Sequence, residues 1–211
     1  MQIGNRMTWI EFKSKFLEHI CFSTHEVYAW RPGFDRNNLV RWARKGYIVR
    51  LRKGMYSFPE YLNIPGISMF LAGKIYRPSY INLHSALSAY GVIPETVVQI
   101  TSVTSLKTAD FTNRFGEYSY KSIKQALMFG YYKREIRDGP AADFAFVEKA
   151  LLDLLYLYPF YNTEKDIFDL RLEGDILSSD FDRGRWELYI SRFQSKALEK
   201  RVRLLEKAYD L

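Results

Sequence analysis

Residues 34–58, FDRNNLVRWARKGYIVRLRKGMYSF, constrain this chain more than any other stretch. Leu39, Trp42 and Ala43 recur at the i, i+3, i+4 spacing of one buried helical face. Asp35 stands where an N-cap belongs, its carboxylate available to the free amides of the first turn. Gly46, just after Arg44 and Lys45, supplies the left-handed residue that stops a helix. Tyr47, Val49 and Leu51 then alternate with Ile48 and Arg50, as in a strand. Arg52-Lys53-Gly54 reads as a turn, and Met55 to Phe58 as the returning strand. A helix followed directly by a two-stranded hairpin is the end of a winged helix-turn-helix. That is the expectation for residues 1–58.

The chemistry of the stretch suits a reader of double-stranded DNA. At about 100° per residue, Asn37, Arg41 and Arg44 centre opposite the apolar face, with Val40, Asn38 and Lys45 on the flanks. Arginine offers two donors to a guanine edge, and asparagine matches adenine. Arg50, Arg52 and Lys53 on the hairpin are placed for phosphates or the minor groove. A charged helix face alone is usually just solvated. Here it comes with a glycine stop and a basic hairpin, and the charge is concentrated. Residues 1–58 hold 11 Lys and Arg against 4 Asp and Glu; residues 59–211 hold 20 of each. The whole net charge of +7 therefore sits in the first stretch, where it attracts a polyanion.

Two helices are expected upstream. Thr8 and Glu11 form a T-x-x-E capping box ahead of Trp9, Phe12, Phe16, Leu17 and Ile20. Ser23 or Thr24 opens a short second helix carrying Val27, Tyr28 and Trp30, ended by Arg31-Pro32-Gly33. Prolines at 59 and 65 mark a packed-down linker at 59–67, followed by a second domain at 68–211. That domain reads as mixed α+β, with a small sheet and a helical C-terminus. Helices are expected at Ser68 to Tyr76, after an Asn82 cap up to Gly91, and at Phe146 to Leu157. Further helices are expected near 163–172, 182–193 and 195–209. Tyr80-Ile81 reads as short and extended. Strands are expected at Val97 to Thr104, Phe115 to Tyr120, Lys124 to Tyr132 and Ala141 to Phe146, the last two around a loop at Asp138-Gly139-Pro140.

Composition excludes some classes. No apolar run approaches the roughly 20 residues needed to span a membrane, and the first 16 residues show no apolar signal core. A single cysteine, Cys21, makes no internal disulfide and sits between Ile20 and Phe22, as a buried structural thiol would. A cytoplasmic location is expected.

The order of these signals resembles the AbiEi family, antitoxin and transcriptional-regulator proteins of bacterial abortive-infection (type IV) toxin–antitoxin operons. Three segments carry the likeness: LVRWARKGYIVRLRKGMYSF, SYINLHSALSAYGVIPE at 79–95, and FAFVEKALLDLLYL at 144–157. The TSVT strand and FGYY at 129–132 extend it over about 30–155. The resemblance implies binding to inverted repeats in the chain's own promoter, repression of the operon, and a C-terminal domain counteracting a nucleotidyltransferase-like toxin. It also implies the DNA role for Arg36, Asn37, Arg41, Arg44, Arg50, Arg52 and Lys53, which match the family's helix and wing by position.

Catalytic and metal readings are weaker. His84 and Ser85 are adjacent, so a helix points them about 100° apart, and no orienting carboxylate is evident. Asp180-Phe181-Asp182 is a D-x-D, but Asp182 precedes a helix and reads as an N-cap. Glu148 and Lys149, inside an apolar helix, read as a buried structural ion pair. His19, His25 and His84 are not spaced as a metal site, and no phosphate-binding glycine motif occurs. No enzyme, cofactor or metal is expected. The competing reading from another class is a protein-interaction module that neutralises a partner by contact, without a specific DNA role.

Overall fold

The structure, a computed structural model, describes residues 7–136 and 139–211. Asp138, placed in a loop by the sequence, lies outside them, whereas Gly139 and Pro140, expected in the same loop, belong to the strand Gly139–Ala145. The fold is mixed α+β, with a three-stranded and a six-stranded sheet, two apolar clusters and a helical C-terminus among the described residues.

The first unit begins with α1 (Trp9–Phe16), opened by a complete Thr8–Glu11 capping box. A turn of 3-10 helix follows, and Ile20, at φ 63, redirects the chain into β1 (Cys21–Ser23). The first helix therefore ends four residues short of the expected Ile20. Ser23 and Glu26 form a second capping box and start α2 (Thr24–Trp30). Next come α3 (Asn37–Arg44), β2 (Val49–Arg52) and β3 (Met55–Ser57). β3 lies between β1 and β2, and both pairings are antiparallel. Helix, strand, two helices and a hairpin returning to that strand make the winged helix-turn-helix arrangement. Its core is aromatic: Phe12, Phe16, Phe22, Phe34, Trp42, Tyr56 and Phe58 are buried together with Leu39 and Ile48.

Pro59–Tyr61 forms a 3-10 turn, and Tyr61 packs against both apolar clusters while its hydroxyl donates to Leu17 O. The second unit contains α4 (Ile67–Ile75), β4 (Ser79–Ile81), α5 (Leu83–Tyr90), β5 (Ile100–Thr104), β6 (Ala109–Asn113), β7 (Gly116–Ser122), β8 (Tyr131–Ile136) and β9 (Gly139–Ala145). Its sheet runs β6-β7-β5-β4-β9-β8, with β4–β9 and β5–β7 parallel and the other neighbours antiparallel. Then follow α6 (Val147–Leu157), α7 (Glu164–Phe168), α8 (Gly174–Asp180), α9 (Arg183–Phe193) and α10 (Lys196–Tyr209). None of the described helices is long and apolar enough to cross a membrane.

Several expected strands shift. Val97 to Gln99 lies outside β5, which begins at Ile100; the Ser85 hydroxyl donates to the Gln99 carbonyl at 3.2 Å. Lys124 to Gly130 is irregular around a 3-10 turn at Gln125–Leu127, and the strand begins at Tyr131 after Gly130 at φ 71. β1, β6 and α8 were not expected at all.

A buried polar node ties the second unit together. Lys149 and Asp153, four apart on α6, are both fully buried and form an ion pair at 2.5 Å. The expected pairing of Glu148 with Lys149 is thus corrected: neighbours on a helix point apart, whereas i and i+4 share a face. Asp153 also accepts from Tyr80 Oη at 3.0 Å and Asn82 Nδ2 at 2.5 Å. The Lys149 ammonium lies over the Phe129 and Phe193 rings at 4.5 and 4.6 Å. Burial pushes the Asp153 carboxyl up and the Lys149 ammonium down, and their mutual attraction opposes both shifts. Removing one partner strands a buried charge, which costs about 3–5 kcal/mol. Asp153→Ala should lose stability of that order in urea denaturation; a loss below about 1 kcal/mol would mean that water reaches Lys149 in the variant.

Candidate nucleic-acid interface

The cap position of α3 is Arg36, which makes no side-chain cap bond; Asp35, expected as the cap, stands one residue earlier and still reaches the first helical amide. Asp35 Oδ1 accepts from Asn37 N at 2.9 Å, and Gly46 closes the helix at φ 74 with its amide on Ala43 O at 3.1 Å. The inner face is seated in aromatics. Trp42 is 4.7 Å from Phe12, 5.1 Å from Trp9 and 5.9 Å from Phe34 by ring centroids. Seating Leu39 and Trp42 leaves Arg36, Asn37, Val40, Arg41, Arg44 and Lys45 exposed along the outer side. Asn38 is half-buried, and its Oδ1 accepts from Arg41 Nη2. Asn38 thus orients the neighbouring guanidinium instead of standing free. Val40, which helical geometry put on a flank, is 43% exposed between the cations. An apolar side chain there matches a thymine methyl. The signal for it in the sequence was a valine between Asn37 and Arg44 off the apolar spacing.

The hairpin carries the remaining cations. Along β2, Val49 and Leu51 are buried while Arg50 and Arg52 are exposed. A register shift between Arg50 and Arg52 places a bulge at Leu51. Arg50 Nε bends back to Arg52 O at 3.4 Å. Lys53 is exposed at the tip, and Gly54 turns the chain at φ 77. Thr24 N donates to Gly54 O at 2.9 Å, so the tip is tied to the start of α2. Among the described residues no carboxylate forms an ion pair with Arg36, Arg41, Arg44, Lys45, Arg50, Arg52 or Lys53.

The wing does not stand alone. Leu51 joins the core of the second unit, and Asn113 Nδ2 donates to Leu51 O at 3.2 Å. This contact sets the turn after β6, with exposed Arg114, beside the hairpin. Nothing local in the sequence signals it, because the partners are 62 positions apart.

No family model matches this chain, and no curated protein does.

The other residues weighed from sequence take structural places. Ser85 Oγ donates to Gln99 O and accepts from Thr101 N at 2.8 Å, so the hydroxyl is occupied by backbone. Asn82 caps α5 by accepting from Leu83 N at 2.7 Å. Asp182 Oδ1 accepts from Arg185 N at 2.9 Å as the cap of α9; the Asp180 side chain lies outside the described residues. Glu148 is fully buried, accepts from Asp182 N at 2.6 Å, and burial holds its carboxyl above the usual range. Cys21 is buried and its thiol is pushed up to about 11 by burial. Among the described residues no three His, Cys, Asp or Glu side chains gather as a metal site.

Gly54 offers a direct check on the wing. A Cβ there would sit 3.3 Å from Thr24 Oγ1, in a left-handed conformation that costs an L-residue about 1–2 kcal/mol. Gly54→Ala should lower stability by about that amount in urea denaturation; a neutral result would show that the tip relaxes into another turn.

Proposed function

We propose that this chain is a DNA-binding transcriptional regulator that reads a major groove with α3 and holds the flanking backbone with the β2–β3 hairpin. The observation that carries the reading is the outer side of α3. Asn37, Val40, Arg41 and Arg44 are exposed on one stripe, with no carboxylate paired to the cations among the described residues, in the part of the chain that holds all of its net charge. Arg41, steadied by Asn38, is the side chain best placed to pair with a guanine edge. Arg50, Arg52 and Lys53 supply charge without base information. Arg114 adds a further cation beside them.

One small module of this kind buries too little surface for tight operator binding, so two copies on an inverted repeat are part of the proposal. The resemblance to the AbiEi family supplies the setting: repression of the chain's own toxin–antitoxin operon, with the second unit counteracting a nucleotidyltransferase-like toxin. Co-purification with the product of the adjoining gene tests that second role separately.

Base readers and backbone holders differ in a measurable way. Arg41→Ala should weaken operator binding by about 1–3 kcal/mol and relax base preference. Lys53→Ala should weaken all sequences alike and lower the salt slope of binding by about one. Fluorescence anisotropy on operator and scrambled duplexes, in a salt series, reads both. Equal loss on the two duplexes for Arg41→Ala would remove its readout role.

A further inference from the structure

A recess of about 490 Å³ opens between the winged helix and the second unit. His19, Ser23, Glu26 and Met55 line it from the first unit, and Lys74 and Arg77 from the end of α4 and just beyond. A second recess of about 290 Å³ adjoins it: Lys74 and Arg77 line both, and Lys133 with Asp143 close the far side.

The charges here do not balance. Two carboxylates face the recesses, and both are engaged. Glu26 accepts from the Ser23 amide and hydroxyl at 2.6 Å as the cap of α2. Asp143 pairs with Lys133 at 2.7 Å. Among the described residues Lys74 has no carboxylate in an ion pair; its ammonium rests over the Phe70 ring at 4.8 Å. Arg77 uses Nε on Gly73 O at 2.9 Å, which leaves its two terminal nitrogens without a bond among the described residues. Partial burial, and then repulsion by Arg77, hold the Lys74 ammonium below its usual range. Lys74, half-buried at the end of α4, and Arg77, exposed just beyond it, thus present two cations to the same recesses without a carboxylate ion pair among the described residues. Both line a space of the size that accepts small ligands, which begins near 300 Å³.

We infer that this recess binds a phosphate group, held by Lys74 and the free guanidinium nitrogens of Arg77. Arginine meets two phosphate oxygens with paired donors, and lysine adds a point charge. The group can belong to a small phosphate ester or to a DNA backbone; the recessed shape favours the ester. Met55 lies on β3 of the hairpin sheet, so an occupant would touch the wing and the second unit at once.

Inorganic pyrophosphate is the probe for the first source. Isothermal titration of the full chain should show saturable binding that weakens at least about tenfold in K74M/R77Q. Methionine keeps the lysine stem packed, and glutamine keeps a donor for Gly73 O; Arg77→Gln alone serves if the double variant loses its circular dichroism spectrum. K196M/K200M, which removes two exposed charges from α10, should titrate as the unaltered chain does. Anisotropy with duplex DNA is the second arm. A lower salt slope in K74M/R77Q, with no pyrophosphate binding by the unaltered chain, assigns the phosphate to DNA. Identical titrations for the unaltered chain and K74M/R77Q, together with unchanged DNA binding, overturn the inference. The pyrophosphate arm contains no DNA, so it stands or falls separately from the regulator reading.

Discussion

The seating of Trp42 decides how this molecule faces its surroundings. Its ring is wedged among Trp9, Phe12 and Phe34, and Leu39 is buried beside it. Truncating a core aromatic typically costs about 3–5 kcal/mol, while solvent-exposed charge pairs are worth about 1 kcal/mol or less. Packing therefore fixes the rotation of α3, and the polar residues take whatever side remains. That side carries Asn37, Val40, Arg41 and Arg44. The direction in which the basic stripe faces is a consequence of the aromatic core.

The hairpin is governed by a different contact. Leu51 leaves the first core for the second, and Asn113 holds its carbonyl. At its other end the tip is tied to α2 through Thr24 and Gly54. A wing anchored on both sides keeps a set distance from α3, which a reader of groove and backbone together requires. It also places the recess of Lys74 and Arg77 against the same small sheet, so occupation of that recess and the placement of the wing share contacts.

Local chemistry was legible in the chain, and distant pairing was not. The Thr8–Glu11 box, the Asp35 bond to the first amide of α3, the Asn82 cap and the glycines at 46, 54 and 91 each act through atoms within a few residues, and each was readable from residue type to within a position. β1 is three residues long and exists only because β3, more than 30 positions later, pairs with it. β6, Ala109–Asn113, mixes strand-favouring Phe111 and Thr112 with strand-poor Ala109, Asp110 and Asn113, so its pairing with β7 defines it. The buried node shows the same limit. Lys149 and Asp153 have helical i, i+4 spacing, yet Tyr80 and Asn82, which complete it, are about 70 positions away. For the interface, the cations on α3 and the hairpin were all named from the sequence. The positioning role of Asn38, the exposure of Val40 and the nearness of Arg114 needed coordinates, because each depends on how one element lies against another.

The central claim is sequence-selective binding of DNA by the winged helix. A gel shift of the full chain on the duplex upstream of its own coding sequence, against a scrambled duplex of the same composition at near-physiological salt, tests it most directly. The account predicts a discrete complex on the upstream duplex at protein concentrations that leave the scrambled one free, with affinity falling steeply as salt rises. Equal binding to both duplexes, or none to either, would contradict it.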